Sequence, residues 1–326
     1  MVTRTPGLRA ELVRVPSGAT GQRIDNFLLA TLKGVPRSLV YRILRSGEVR
    51  VNKGRVRPGH RLTAGDQVRI PPLRRPEVEV PAAPSRQLTE TLAAAILFED
   101  SHLLVIDKPA GLAVHGGSGL RLGLIEALRA MRPGAELELA HRLDRDTSGC
   151  LVISKRRSAL RALHAQLRDG GMEKRYTALL CGRLTESRVR CQAPLLKGQS
   201  RGGERIVRVD RDAGKPAETR FRRCRTFGDL TLADITLMTG RTHQIRVHAA
   251  HLGAPVAGDD KYGDADANRR LLGLGLHRMF LHASSLRFRP RLDAEPIVVE
   301  AALPDALRTV LDALERTTGT SATGER

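Results

Sequence analysis

Ile24, Phe27, Leu28 and Leu32 recur at helical spacing in GQRIDNFLLATLKG, and Gly34 is placed to end the helix they predict. A second helix follows at once. Pro36 suits its first turn, Leu39, Ile43 and Leu44 form its buried stripe, and Gly47 falls just past its end. Arg37, Tyr41, Arg42 and Arg45 are left on the opposite face, which is basic with one aromatic. The short runs EVRVN and QVRIP read as strands, with turn chemistry at Asn52-Lys53-Gly54 and Ala64-Gly65-Asp66. The N-terminal unit is therefore helix, helix, small sheet. PPLRRPEVEVPAAPSRQ comes next, and its five prolines predict an extended, semi-rigid connection.

Beyond it, AILFED and HLLVIDK predict consecutive strands, GLIEALRAM an amphipathic helix, GCLVISK and KRYTALLCG strands, and RSALRALHAQL a helix between those two. AETRFRRC and LTLADITLM continue as strands. THQIRVHAAHLG predicts a helix with Thr242 as N-cap and Gly253 as its stop. Helices and strands are mixed without regular alternation, so an α+β domain on a largely antiparallel sheet is expected rather than a doubly wound one. The final TTGTSATGER reads as a disordered tail.

Length and charge sharpen this division. The chain has 326 residues, 41% of them hydrophobic, which suits two domains and excludes wholesale disorder. Its 55 Lys and Arg outnumber 35 Asp and Glu, and residues 1–75 hold 16 of the basic residues against 4 acidic ones. A basic excess concentrated in one small piece points to a polyanion, foremost nucleic acid. No apolar stretch approaches the roughly 18 residues of a membrane span, and MVTRTPGLRAELVR lacks a signal-peptide core, so a cytoplasmic protein without membrane association is expected. Cys150, Cys181, Cys191 and Cys224 form no CxxC pair and read as reduced structural thiols.

Candidate chemistry lies in two polar clusters. His141-Arg142-Leu143-Asp144-Arg145-Asp146-Thr147-Ser148-Gly149 precedes the strand GCLVISK, a usual place for a catalytic loop. Arg142 and Arg145 flank Asp144 and favour its ionised form, which could act as nucleophile, metal ligand or ion-pair partner. The same nine residues also suit a turn held by Asp–Arg pairs. Gly240-Arg241-Thr242-His243-Gln244-Ile245-Arg246-Val247-His248 opens a predicted helix, where free N–H groups favour anions, although a basic solvated helix face fits as well. His243 and His248 are five apart, which rejects a zinc-hydrolase pair. Gly116-Gly117-Ser118-Gly119 lacks dinucleotide-loop spacing, and no GxxxxGK[ST] exists. With no Trp and three Tyr, stacking of successive bases on an aromatic sheet is not expected. Tyr176 by itself reads first as a half-buried packing residue on a strand.

Taken in order, HRLDRDTSG, EKRYTALL, GRTHQIRVH and GDDKYG resemble the motif set of the RluA-type pseudouridine synthases, and GQRIDNFLLATLKGVPRSLVYRILRSGEVRVNK resembles the small αL RNA-binding module named for ribosomal protein S-four. The resemblance implies an RNA-binding module over 13–75, a proline-rich linker over 76–91, a catalytic domain over 92–305, and a helix end with a disordered tail over 306–326. It implies an isomerase that breaks the N-glycosidic bond of specific uridines, rotates the uracil and rejoins the ribose through carbon 5, with neither metal nor cofactor. The substrate expected from it is large-subunit ribosomal RNA before full ribosome assembly, and the enzyme a monomer.

Carried over by motif position, Asp144 becomes the nucleophile, attacking the anomeric carbon or the uracil ring. Arg246 pairs with that carboxylate and orients it; Tyr176 packs against the flipped base and helps remove the carbon 5 proton. Leu281, His141, Arg142, Arg145, Arg241 and His243 are expected to bind substrate. Arg37, Tyr41, Arg42, Arg45 and Lys53 are expected to hold RNA, as is a loop KGQSRGGERIVR through Lys197, Arg201 and Arg205. A non-catalytic ribosome-associated binder, and a metal-dependent RNA hydrolase using Asp144, Asp146 and the histidines, are the competing readings.

Overall fold

The computed structural model describes residues 10–32, 35, 37–73, 83–116, 122–199, 205–291 and 293–321. They fall into two compact units, Met1–Val80 and Pro81–Arg326. Gly34, Pro36, most of the proline-rich run, Gly117–Gly119 and Arg201 lie outside the described residues, as does the Arg37 side chain.

The first unit contains β1 (Glu11–Arg14), α1 (Ile24–Thr31), α2 (Arg37–Arg45), β2 (Arg50–Val51), β3 (Gly54–Arg55) and β4 (Gln67–Ile70), with a sheet ordered β1-β4-β2-β3. Ile24, Phe27, Leu28, Ile43 and Leu44 bury against Val51, Val68 and Ile70, so the helical stripes close onto one sheet face. Asn52 and Lys53 both take positive φ, 48° and 69°, which makes the β2–β3 connection a tight hairpin turn matched to strand twist. Tyr41 departs from the expected free basic face. Its hydroxyl donates to Asp25 Oδ2 at 2.9 Å, and Arg23 pairs with the same buried carboxylate at 2.7 Å.

The second unit runs α3 (Arg86–Ala94), β5 (Ile96–Glu99), β6 (Leu103–Lys108), α4 (Leu124–Met131), β7 (Glu138–Leu139), β8 (Ser148–Ser154), α5 (Arg157–Asp169), β9 (Glu173–Cys181) and β10 (Arg188–Cys191). It continues with β11 (Leu195–Gln199), β12 (Arg205–Val209), β13 (Thr219–Phe227), β14 (Leu230–Leu237), α6 (Gln244–His251), α7 (Ala265–Leu272), β15 (Leu281–Phe288), β16 (Ile297–Glu300) and α8 (Asp305–Ser321). The main sheet is ordered β10-β13-β14-β9-β15-β8-β6-β5, with β16 on β15 and β7 on β8. Only the β15–β8 pairing is parallel among the described strands. The fold is α+β on a largely antiparallel sheet, as the mixed element pattern predicts.

Burial explains the strand types. β8 is buried along its length, hence the unbroken apolar reading of GCLVIS, whereas β9 alternates, with Tyr176 inward and Arg175 outward. One sheet face packs Leu151, Tyr176, Ala178, Phe221 and Ile235 with α4. The other carries Cys150, Val152 and Leu163 of α5, and further along Leu179 and Leu230 under Leu307 and Val310 of α8. At Gly149, φ is 111° and a Cβ would meet the Ala283 carbonyl oxygen at 2.2 Å, so only glycine lets β8 meet β15 there.

Several expectations are corrected. The extended connection gives way to helix at Arg86, because Ser85 Oγ caps Leu88 N at 3.2 Å and Leu92 finds a buried place. Thr242 is not the N-cap of α6. His243 holds that position with φ 52° and no side-chain cap, while Gln244 Oε1 turns back to accept from Arg241 N at 3.0 Å. The two ends of the KGQSRGGERIVR loop are antiparallel strands, β11 with β12, while residues 200–204 and the Arg205 side chain lie outside the described residues. The tail is helical through Ser321, since α8 is propagated from its buried Leu307, Val310 and Leu314. All four cysteines are free thiols, Cys150 and Cys191 buried. No described helix is long and apolar enough to cross a membrane.

Candidate active site

Asp144 sits in the loop between β7 and β8, and main-chain bonds fix that loop before any side chain acts. Gly111 N and Lys108 Nζ both donate to the Arg145 carbonyl, at 2.9 Å each. Lys108 is fully buried and also donates to the carbonyls of Pro109 and Leu112, at 2.7 and 2.8 Å. Burial pushes its pKa down to about 7, against which three carbonyl acceptors match the three protons of the ammonium. From β15's side, Arg278 Nη2 donates to Ser148 Oγ at 2.9 Å and to the carbonyls of Asp146 and Leu281 at 3.3 Å. Ser148 Oγ in turn meets His282 Nδ1 at 2.9 Å. The loop is thus tied to both neighbouring strands.

The Asp144 side chain, 21% exposed, faces a cavity of about 90 Å³ lined also by Arg142, Tyr176, Arg241, His243, Arg246 and Leu281. Arg246 Nη1 donates to Asp144 Oδ2 at 3.3 Å. The other two nitrogens of that guanidinium bind Asp259 in a bidentate pair, both bonds 2.7 Å. Asp259 has no exposed side-chain surface, and its Oδ1 also accepts from Lys261 N and Tyr262 N. Burial works against both charges, but the pair outweighs it. Asp259 is held below the ordinary aspartate value and Arg246 above the ordinary arginine value, with Asp144 adding to the latter. Arg246 also lies over the Tyr262 ring, 5.0 Å from its centroid.

His243 takes its place through its left-handed φ, an uncommon backbone state for a side-chain-bearing residue. Val207 N–H donates to the Tyr262 hydroxyl at 2.9 Å, whose own proton is then free for His243 Nδ1 at 2.8 Å. With this assignment Nε2 carries the ring proton and stands 4.0 Å from Asp144 Oδ1. Burial lowers the His243 pKa, opposed by Asp144, so the neutral ring is favoured. Tyr176 is buried, and its hydroxyl has no hydrogen-bond partner among the described residues. Burial and then the Asp144 charge raise its pKa above the ordinary phenol value.

The fold therefore gathers Asp144, Arg246, Tyr176, Arg142, Arg241, His243 and Leu281 around one cavity. Arg241 Nε also donates to the Pro216 carbonyl at 3.1 Å. Arg145 stays out of the small cavity. It lines a wider groove of about 1170 Å³ that shares Asp144, His243 and Arg246, and it pairs with Asp146 at 3.1 Å rather than with Asp144. His141 is a correction. Its Nε2 accepts from Val152 N at 3.1 Å and burial lowers its pKa to about 3, so the ring is a neutral part of the packing beneath the loop. In the N-terminal unit Arg42, Arg45 and Lys53 are exposed. Lys197 is exposed on the β11–β12 hairpin.

Sequence reasoning missed four residues that build the site. Asp259 and Tyr262 stand inside GDDKYG, but nothing in that string says that they fold onto Arg246. Lys108 ends an otherwise apolar run before Pro-Ala-Gly, and a charge there was a usable signal. Arg278 carried none.

Two family models match the chain: "RNA pseudouridylate synthase" over residues 102–251 and "S4 domain" over residues 22–68. "Ribosomal large subunit pseudouridine synthase C" of Yersinia pestis is 54% identical over 310 residues, covering 94% of this chain and 96% of that protein. The protein of the same name from Escherichia coli is 52% identical over 318 residues, 96% of this chain and 99% of its own length. Among solved structures, "Human RNA Pseudouridylate Synthase Domain Containing 4" is similar with a TM-score of 0.58 and 26% identity over 70% of this chain and 96% of that chain.

Proposed function

The chain belongs to the RNA pseudouridylate synthase family and is an RNA pseudouridine synthase, an isomerase, and we propose from that premise that its substrate is uridine in large-subunit ribosomal RNA and that Asp144 is its nucleophile. The names of the relatives support the substrate. The observation that carries the role of Asp144 is the bridge made by Arg246, which is locked to buried Asp259 and presents its remaining nitrogen to the one carboxylate that faces the cavity.

The chemistry follows from that asymmetry. Arg246 holds Oδ2, leaving Oδ1 to attack either the anomeric carbon or the uracil ring. The N-glycosidic bond breaks, the uracil turns, carbon 5 bonds the ribose, the bond to Oδ1 breaks and returns its electron pair to the carboxylate, the proton on carbon 5 leaves and N1 gains one, so enzyme and composition are unchanged. Tyr176 packs against the flipped base, with its unpartnered hydroxyl placed to help move the carbon 5 proton. Leu281, Arg142, Arg241 and His243 confine the nucleotide, and Arg145 meets RNA in the outer groove. Extruding the uridine costs a few kcal/mol, which phosphate contacts offset. Such contacts come from Arg37, Arg42, Arg45 and Lys53 of the N-terminal module and from Lys197 on the hairpin. A strand that must be extruded is reached most readily before the ribosomal subunit is fully assembled, by a monomer acting in the cytoplasm.

Tritium release from large-subunit RNA labelled at carbon 5 of uridine tests this reading. Release without strand cleavage, unaffected by EDTA, is expected. Absence of release would leave an RNA binder, and cleavage that stops with chelator would leave a hydrolase.

A further inference from the structure

The sheet that presents Tyr176 to the cavity has a second face, and most of it is covered. Leu163 of α5 packs there on Cys150 and Val152, and Leu307 and Val310 of α8 pack on Leu179 and Leu230. Where those helices end, the same face turns to arginine. Strand register places Arg190, Arg220, Thr236 and Arg175 in one row across β10, β13, β14 and β9, and Arg188, Arg222, Asp234 and Thr177 in the next. Since residues alternate along a strand, these rows lie opposite Tyr176, Phe221 and Ile235. The five arginines line a furrow of about 300 Å³.

Two like-charge pairs stand directly opposite each other, Arg188 with Arg222 and Arg190 with Arg220, an arrangement that weakens a sheet. Keeping strand edges unpaired would account for arginines on β10, which ends the sheet, but not for those on β13 and β9 inside it. The carboxylates nearby orient the cations without covering them. Glu218 accepts from Arg190 Nη2 at 2.6 Å and Arg220 Nε at 2.8 Å; it is 16% exposed beneath guanidinia that are 56% and 53% exposed. Asp234 pairs with Arg222, and Glu173 with Arg175 Nε at 2.6 Å. Each bond engages one nitrogen of its arginine and leaves the others to outside ligands. Arg188 has no acidic partner among the described residues. The result is an array of five arginines, four of them held in place by three carboxylates, of which Glu218 lies largely covered, and this pre-orientation lowers the ordering cost of binding a polyanion.

We propose that this face is a second nucleic-acid contact, taking the phosphate backbone of RNA at a distance from the nucleotide being isomerised. This rests on the reading that the substrate is ribosomal RNA. Long RNA offers the array a strand that leaves the catalytic cavity, whereas a short hairpin filling only the cavity does not reach it. The surface therefore favours large, folded RNA over fragments and acts on KM rather than on kcat.

The test uses the full chain, a large-subunit ribosomal RNA transcript and a short uridine-containing hairpin as probes, with Arg188→Gln alone and with Arg188→Gln, Arg190→Gln and Arg222→Gln combined. Filter binding across a potassium chloride series should show the log–log salt slope for the transcript falling by about 2 in the triple variant, at roughly 0.7–0.9 per lost phosphate contact. Its KM in tritium release should rise about tenfold while kcat and hairpin binding stay at wild-type values. Should the triple variant fold poorly, the single variant, which strands no carboxylate, should lower the slope by just under one. An unchanged slope in folded variants overturns the proposal, as does an equal loss with the hairpin. Polyglutamate binding to the intact face while the transcript's affinity and salt slope are untouched by the triple variant would assign the face to an acidic protein and overturn it too. If the wild type releases no tritium, the functional reading fails instead, and the salt slopes still report on the surface.

Discussion

Two loops meet at Arg246, and they treat the same functional group in opposite ways. The 256–263 loop buries Asp259 completely and gives it two guanidinium bonds and two main-chain amides. The 141–147 loop leaves Asp144 partly exposed, with one guanidinium bond at 3.3 Å and a histidine at 4.0 Å. A carboxylate with its lone pairs filled is an anchor; one left under-coordinated beside a cation keeps an oxygen for reaction. The lesson is that reactivity here lies in the donors that are withheld.

Breaking the reactive half should have the largest effect. Asp144→Asn is expected to reduce turnover by about 10³-fold or more while leaving RNA affinity largely intact, measured by tritium release beside filter binding. Appreciable turnover in that variant would remove Asp144 from the chemistry. Breaking the anchoring half should look different. Asp259→Asn strands the buried Arg246 charge, so a loss of about 3–5 kcal/mol in urea denaturation is expected, with kcat falling as Nη1 loses its aim. Because the folded pKa of Asp259 is lowered, its contribution is present above the unfolded value near 3.9 and fades as pH falls through the folded one. Wild type and variant should therefore converge in acid. A stability gap that persisted there would deny the pair its electrostatic role.

This contrast also marks what the sequence could and could not say. That Asp144, Arg246 and Tyr176 share a site was implied by the family resemblance of the strings that carry them, not by the strings themselves, since Asp144 and Arg246 meet across the fold. The elements came from periodicity, and the buried β8 and alternating β9 were readable for that reason. Asp259 was not, since its meaning lies in a contact across the fold rather than along the chain. The resemblance implied that His141 binds substrate, and nothing along the chain says that its ring nitrogen accepts from the Val152 amide. The Thr242 cap failed because the helix starts one residue later, with His243 in the left-handed region as its N-cap and Gln244 turned back to the Arg241 amide.

Tyr176→Phe sharpens the comparison from the base's side. The hydroxyl has no partner to lose among the described residues, so the fold should be unaffected, and a drop of about 10²-fold in kcat with KM unchanged is expected if the phenol moves the proton. A kcat equal to wild type would restrict Tyr176 to packing against the uracil.

The smallest effect on chemistry is expected from the N-terminal module, which carries its own version of the anchored carboxylate. Asp25 is buried, held by Arg23 and the Tyr41 hydroxyl, and the Arg23 bond draws its pKa down to about 2. Tyr41 is thereby committed to the fold, and RNA is left to the exposed cations. Replacing Arg42, Arg45 and Lys53 together by Gln should leave kcat unchanged and lower the salt slope of RNA binding by about 2, near 0.7 for each single-strand phosphate contact. Tyr41→Phe should cost about 1 kcal/mol in thermal denaturation and leave that slope alone, because it removes a hydrogen bond and no charge. If the slope moved with Tyr41→Phe and not with the basic residues, the module would be engaging RNA through the Tyr41 hydroxyl and the Asp25 site it caps rather than through its exposed cations.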